Sequence, residues 1–149
     1  MLTIRPERPD QADVVALLDA LDAYLASLYP PEANHILDVQ ALLASDVRFL
    51  VARRDGVAVG TGAVRLGPGY GEVKRMYVAP TQRGQRIAEQ LLQALEAQLR
   101  SEGIAQARLE TGRDQAEALR LYQRCGYTRC APFGGYPDNG LSVFLGKAL

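Results

Sequence analysis

Apolar positions recur at helical spacing in four stretches of this chain. Valines and leucines three or four residues apart, from Val14 to Leu28, predict a first helix that Tyr29-Pro30-Pro31 stops. We expect Asp10 to cap that helix, because a short acidic side chain can accept from the first free N–H groups. The four predicted helices cover about residues 10–28, 36–43, 87–103 and 114–125.

Extended runs of apolar residues, divided by glycine-containing turns, predict strands between the helices. The predicted strands are residues 2–5, 47–53, 57–66, 72–78, 107–111, 127–131 and 141–147. Strict alternation over 72–78 places Glu72, Lys74 and Met76 on one face and the intervening residues on the other. The order of helices and strands predicts a mixed α/β sheet.

Composition narrows the class of protein. The chain has 149 residues, the size of one domain, and 48% of them are hydrophobic, so a globular core is expected. Lys plus Arg and Asp plus Glu are 17 each, so net charge attracts neither nucleic acid nor a membrane. No apolar run reaches the roughly 18 residues of a membrane helix, and the charged N-terminus is unlike a signal peptide. We expect a cytoplasmic location.

Metal and thiol chemistry lack suitable residues in the sequence. Cys125 and Cys130 are not at metal-ligand spacing, and the chain has one histidine, His35, so we expect no metal site. Two free thiols fit a reducing compartment. Nothing in the sequence pairs Cys125 with a base, so nucleophilic catalysis by cysteine is not expected.

A basic, glycine-containing turn precedes the third helix. Helix N-termini carry unpaired N–H groups and the positive end of the helix dipole, so a diphosphate can bind there. Arg83 and Arg86 add charge to the turn, and Gly84 allows close approach to the backbone. The alternative is a surface turn with solvated arginines. A Walker-type nucleotide site is disfavoured, because no Lys-Ser/Thr pair follows the turn.

Several motifs, in order along the chain, carry a resemblance to one enzyme family. The turn motif Arg83-Gly84-Gln85-Arg86-Ile87-Ala88 lies between GEVKRMYVAP and LLQALEAQLRSEGI. A second block joins LETG at 109–112 to ALRLY at 118–122 and to Gly126-Tyr127. With the LTIRP start, these segments resemble the GNAT superfamily of acyl-CoA-dependent N-acyltransferases over essentially the whole chain. Arg86 stands where the family usually has glycine, and its N–H can still donate if the residue is helical.

The resemblance implies a single N-acetyltransferase domain over residues 1–149. Its fold would be a mixed, mostly antiparallel central sheet flanked by helices, with strands four and five splayed around the cofactor. The acetyl group of acetyl-CoA would pass directly to a primary amine of a small molecule or a protein, without a metal. A homodimer through sheet edges or the apolar strand 141–145 is a further expectation. The alternative is a non-catalytic coenzyme A-binding or regulatory module with the same fold.

The resemblance also assigns cofactor-binding residues. Backbone groups of Met76 and Val78 would pair with the pantetheine arm as a strand edge does, and the N–H groups from Arg83 to Ala88 would hold the pyrophosphate. Core packing is the alternative for Met76 and Val78. The predicted cofactor-binding residues are Met76, Tyr77, Val78, Arg83, Gly84, Gln85, Arg86, Ile87, Ala88 and Gln115.

Glu72 and Tyr122 are the predicted catalytic residues. By resemblance Glu72 takes the proton from the amine, directly or through water, because an amine must lose a proton to attack. Its alternatives are a solvated strand-end carboxylate or an ion-pair partner of Lys74 on the same face, and Glu110 competes for the role of base. Tyr122 would protonate or hold the leaving thiolate, and its alternative is an aromatic residue that packs helix against sheet.

Two more segments would border the acceptor by resemblance. One is YPPEANH, whose His35 we interpret as a surface or helix-start residue. The other is the glycine-rich loop that holds Phe133 and Tyr136 and runs to Ser142, for which a plain hairpin tip is the alternative.

Overall fold

The computed structural model describes residues 1–34 and 36–149 of the chain. Its strands are β1 (Leu2–Pro6), β2 (Val47–Arg54), β3 (Val57–Gly67), β4 (Tyr70–Val78), β5 (Gln106–Gly112), β6 (Thr128–Arg129) and β7 (Ser142–Ala148). Its α-helices are α1 (Ala12–Leu28), α2 (Val39–Leu42), α3 (Ile87–Ser101) and α4 (Ala116–Arg124). Every element predicted from the sequence is present, although α2 and β6 are shorter than predicted.

The strands form one sheet in the order β1-β2-β3-β4-β5-β7-β6. All neighbours are antiparallel except β4 and β5, which are parallel. Asp55 and Gly56 both have positive φ, which is what the tight turn between β2 and β3 requires. The fold is therefore the mixed, mostly antiparallel α/β sheet that the sequence predicts.

Helices cover both faces of this sheet. Leu91, Leu92, Leu95 and Leu99 of α3 form the core on one face, together with Tyr122 of α4. Val14 and Leu18 of α1 pack with Leu42 of α2 against β2 and β3 on the other face. Burial at a spacing of three or four residues is why these segments are helices that lie flat on the sheet.

The sheet opens between β4 and β5. Their pairing is limited to Gly71 with Ala107 and Glu72 with Arg108. Beyond these pairs β4 runs on to Val78 and β5 to Gly112 without pairing to each other. The facing backbone edges therefore form a wedge in the middle of the sheet, as the resemblance implies for strands four and five.

A β-bulge interrupts β4 and corrects the predicted alternation. The register against β3 shifts between Thr61 and Ala63, and Arg75 has a φ of 57°. A Cβ added at Gly62 would lie 2.9 Å from the Met76 sulfur, so Met76 lies on the α3 face. The prediction that Met76 shares a face with Glu72 and Lys74 is therefore wrong, because the extra residue of the bulge reverses the alternation after it.

One further local prediction fails for an identifiable reason. Asp10 does not cap α1, because its carboxylate accepts two hydrogen bonds from Arg8, and Gln11 takes the N-cap position without a side-chain bond. The apolar strand β7 is not a fully open edge, because β6 pairs with it at Leu145 and Gly146. The homodimer stays a prediction. No helix in the described part of the chain has the length and apolarity to cross a membrane.

Candidate functional site

A cavity of about 740 Å³ lies along the wedge, beside the start of α3 and one side of α4. All of the predicted cofactor-binding residues except Gln85 line it. The Gln85 amide oxygen instead accepts a hydrogen bond from Arg54 at 2.8 Å. α1 contributes Leu21 and Tyr24 to the wall, which sequence reasoning missed, because the helical pattern does not show which sheet opening the helix covers.

The turn before α3 has the geometry of an anion site. The first hydrogen bond of the helix runs from the Gln90 N–H to the Arg86 carbonyl at 3.1 Å, so the N–H groups of residues 87–89 have no acceptor within the helix. Gly84 has a φ of 82°, and an added Cβ there would meet nothing within 4 Å. These free N–H groups and the cationic turn fit the diphosphate of an acyl-CoA.

The conformation of Arg86 corrects one expectation. Arg86 is the N-cap of α3 and is left-handed, with a φ of 62°, so it is not helical. Glycine, which the resemblance leads us to expect at this position, is the residue that adopts this conformation without steric cost. Arg83 is directed back toward the wedge, because its Nε donates to the Val78 carbonyl at 3.1 Å and its guanidinium lies over the Tyr77 ring.

A second, smaller cavity of about 110 Å³ adjoins the first on the α1 side of β4. The two cavities share wall residues, namely Leu21, Met76, Gln115 and Tyr122. The smaller cavity is also lined by Lys74 and Arg75 of β4 and by Glu110 of β5. A molecule in the smaller cavity and one in the larger cavity could therefore contact the same four residues.

Tyr122 lies where the two cavities adjoin. Its side chain is 6% exposed and its ring meets the Tyr127 ring edge to face, with centroids 5.9 Å apart. Within the described residues, no group hydrogen-bonds to its hydroxyl. Burial raises the pKa of Tyr122 above its usual value, so the phenol keeps its proton at neutral pH.

Glu72 is placed differently from its predicted role. It is 2% exposed and accepts a hydrogen bond from the Tyr136 hydroxyl, while Lys74 Nζ lies 3.1 Å and Arg65 Nη2 3.4 Å from its oxygens. Glu72 is not among the described residues that line either cavity. The pairing with Lys74 that we considered as the alternative is present, and Glu110 is the carboxylate that faces the smaller cavity.

Tyr29 closes the smaller cavity and also escaped sequence reasoning. Its hydroxyl accepts from the Asp114 N–H at 3.1 Å, which ties the end of α1 to the start of α4. A Cβ at Gly112 would lie 1.8 Å from that hydroxyl, so this close approach requires glycine. The proline-rich stop after Tyr29 was visible in the sequence, but its contact with Gly112 was not.

Arg75 is the main omission of the sequence analysis. It lines the smaller cavity, is 8% exposed, and donates from Nη1 to Asp22 of α1. Alternation had placed it on the opposite face. The signal that could have found it is the adjacent pair Lys74-Arg75 in the middle of a central strand, where buried cations are rare.

The remaining candidates from the sequence are the cysteine, the histidine, the glycine-rich loop and possible metal ligands. Cys125 is a free, partly buried thiol, and burial raises its pKa, which disfavours the nucleophilic thiolate. His35 lies outside the described residues. Leu141 and Ser142, at the end of the predicted acceptor loop, line the smaller cavity. Among the described residues, no group of three or more His, Cys, Asp and Glu side chains could hold a metal ion.

Comparisons with known proteins identify the family. The model of the Acetyltransferase (GNAT) family matches residues 14–127. The chain is 48% identical to an IAA acetyltransferase of Azospirillum brasilense, over 99% of this chain and 98% of that protein.

Two solved structures resemble the chain over its length. One, described as an acyl-CoA N-acyltransferase of Klebsiella pneumoniae, is 41% identical with a TM-score of 0.85, over 100% of this chain and 98% of that one. The PaiA N-acetyltransferase of Thermoplasma acidophilum, solved with coenzyme A, is 17% identical with a TM-score of 0.77, over 100% and 99% of the two chains. This second likeness concerns the fold.

Proposed function

This chain belongs to the GNAT acetyltransferase family and is an acyl-CoA-dependent N-acetyltransferase, and from that premise we propose that it transfers the acetyl group of acetyl-CoA directly to a primary amine where its two cavities adjoin. The observation that carries the proposal is the shared wall at Met76 and Tyr122. It allows a donor in the wedge and an acceptor in the smaller cavity to contact the same residues. Direct transfer requires that proximity.

The donor side is built mainly from backbone. The free N–H groups of residues 87–89 and the cations Arg83 and Arg86 bind the diphosphate of the donor. The unpaired edge of β4 beyond Glu72 offers N–H and C=O groups to the pantetheine amides, in the manner of an added strand. N–H groups of the same edge polarise the thioester carbonyl.

The acceptor side requires a group that takes a proton from the amine. Glu110 lines the smaller cavity, in which we place the acceptor, so we assign it the direct contact with the amine. For Glu72, the predicted base, the contacts favour a positioning role, because its buried carboxylate pairs with Lys74, which lines the smaller cavity, and accepts a hydrogen bond from Tyr136. The neutral amine then attacks the carbonyl carbon, and the carbon–sulfur bond breaks. The proton that the nitrogen loses as the amide forms passes to solvent, and solvent returns the proton that Tyr122 gives to the thiolate.

Tyr122 serves the leaving group. Its hydroxyl has no competing partner among the described residues, and its raised pKa keeps it protonated. It donates that proton, or a hydrogen bond, to the thiolate as the carbon–sulfur bond breaks. The chain therefore supplies both a proton acceptor, Glu110, and a proton donor, Tyr122, at the smaller cavity.

Release of free thiol from acetyl-CoA in the presence of an amine tests this proposal. The panel of amines holds simple alkylamines, amino acids and amino acid amides. IAA is tested beside this panel, because the Azospirillum relative is named for it. We expect thiol release that depends on the amine and gives a stoichiometric acetylated product by mass spectrometry. Tight binding of acetyl-CoA with no amine-dependent release would favour a binding module without turnover.

Glu110→Gln and Glu72→Gln separate the two carboxylates. If Glu110 takes the proton, Glu110→Gln lowers the single-turnover rate on the order of 100-fold without weakening acetyl-CoA binding. Glu72→Gln should have a smaller effect on rate and a measurable effect on melting temperature, since it removes a buried ion-pair partner. The opposite order of the two rate effects would return the role of base to Glu72.

A further inference from the structure

Arg75 carries features that neither the fold nor the transfer chemistry explains. Its side chain is 4% exposed, yet its Nε is buried and has no hydrogen-bond partner among residues 1–34 and 36–149. Buried donors are almost always satisfied, and a guanidinium has five N–H groups to place. The partner that the structure does give it, Asp22, accepts from Nη1 only.

The backbone at Arg75 is held in an unusual conformation. A φ of 57° is left-handed, which costs energy for any residue except glycine and persists only where the surroundings enforce it. Here it belongs to the bulge that turns Arg75 toward α1, and the Thr61 hydroxyl donates to the Arg75 carbonyl at 2.8 Å. The bulge therefore brings Arg75 to the wall of the smaller cavity.

The charges around this cavity are divided between its two strands. Lys74 and Arg75 stand on β4, and Glu110 stands on β5. An occupant with an anionic end and a cationic or amine end would match both walls. The volume of about 110 Å³ restricts the occupant to a compact group, given that one water needs about 10–15 Å³ of such space.

We propose that Arg75 is an acceptor-binding residue whose Nε donates to a carboxylate, so that the acceptor is a small amine of the amino acid class, with a carboxylate a few bonds from its amino group. This inference rests on the proposed function. The carboxylate on Arg75 directs the amino group toward Glu110 and the shared wall at Met76 and Tyr122. A planar carboxylate suits a guanidinium better than a single-point anion does, because two parallel hydrogen bonds can form.

The test compares each amino acid with its amide as acceptor. The amide keeps the size and the amino group but lacks the negative charge, and its amine loses a proton more readily, which biases the comparison against the proposal. We expect kcat/KM to be on the order of 10- to 100-fold higher for the acid, as the loss of a hydrogen bond to a charged group predicts. Most of the difference should appear in KM, because the carboxylate does not react.

Arg75→Gln distinguishes ligand binding from a structural role. If Arg75 binds the carboxylate, the variant loses the preference and uses acid and amide with nearly equal kcat/KM. A purely structural role would lower both values in parallel and leave their ratio unchanged. Arg113→Gln is the matched control, because Arg113 is exposed near the same end of β5 and is absent from the described cavity walls, so its ratio should equal that of the parent.

The remaining outcomes are also decisive. Arg75→Lys keeps the positive charge but loses the planar set of N–H donors, so its ratio of kcat/KM for acid over amide should be intermediate. This variant replaces Arg75→Gln in the test if Arg75→Gln does not fold. Equal use of acids and amides by the parent protein would overturn the inference alone. Turnover of no amine in the panel would overturn the proposed function and the inference together.

Discussion

Replacing Tyr122 by phenylalanine removes one hydroxyl group and keeps the ring that packs on Tyr127. Because no described residue hydrogen-bonds to that hydroxyl, the change leaves no protein donor or acceptor unpaired. We therefore expect the free energy of unfolding to change by less than about 1 kcal/mol. The edge-to-face contact, with centroids 5.9 Å apart, is retained.

The expected effect on the rate is much larger. A positioned proton donor contributes on the order of 100-fold to a transfer step, which corresponds to about 2.7 kcal/mol of transition-state stabilisation. Because burial raises the pKa of Tyr122, the parent hydroxyl stays protonated above the usual tyrosine range. The loss in Tyr122→Phe should therefore be uniform from about pH 6 to 9 while both proteins become faster as the amine is deprotonated.

The assay is single-turnover thiol release with enzyme in excess over acetyl-CoA, because slow product release would hide the effect in steady state. Melting temperature and acetyl-CoA affinity by calorimetry are measured on the same samples. A parent-like single-turnover rate in Tyr122→Phe would refute the role in catalysis. A large drop in melting temperature would instead indicate that the residue is structural.

Three further predictions concern stability and donor binding. Gly112→Ala should destabilise the fold by about 1–3 kcal/mol in denaturant titration, because its Cβ would displace the Tyr29 hydroxyl. A denaturation midpoint equal to that of the parent would contradict the close contact between Gly112 and the Tyr29 hydroxyl. Arg86→Gly should raise stability by about 0.5–1 kcal/mol through relief of its left-handed φ, yet weaken acetyl-CoA binding in calorimetry, and unchanged affinity would remove the residue from the site. Arg53→Met should destabilise the protein at neutral pH but not in acid: the hydrogen bond from Arg53 lowers the pKa of Glu7 below 4.5, so its contribution is present above that pH and is lost as pH falls through the folded-state pKa. A difference in melting temperature between the parent and Arg53→Met that stayed the same from neutral to acid pH would contradict this prediction.

Much of the fold could be predicted from the sequence because its signals are local. The leucines of α3 recur every turn, and the glycine turns separate strands whose residues are mostly apolar on both sides. These patterns depend on each segment alone, so all helices and strands appear near their predicted places. The edges were less predictable: β6 has two residues, and its pairing with β7 depends on contacts distant in sequence.

The site was predictable only in part, because its decisive features are conformational. The positive φ at Arg75 and at Arg86 has no signature in residue type, since both positions hold an ordinary side chain. A one-residue bulge places Met76 on the opposite face of the sheet from the predicted one and brings Arg75 to the wall of the smaller cavity. The burial of Glu72 was equally invisible, because Tyr136, which contacts it, lies 64 residues away along the chain.

A crystal structure of the protein with acetyl-CoA tests the central claim most directly. The account predicts the diphosphate on the N–H groups of residues 87–89, the pantetheine arm in the wedge between β4 and β5, and the thioester sulfur within about 3.5 Å of the Tyr122 hydroxyl. The acetyl carbon should face the cavity lined by Arg75 and Glu110. A donor bound outside the wedge, or a sulfur out of reach of Tyr122, would contradict the account.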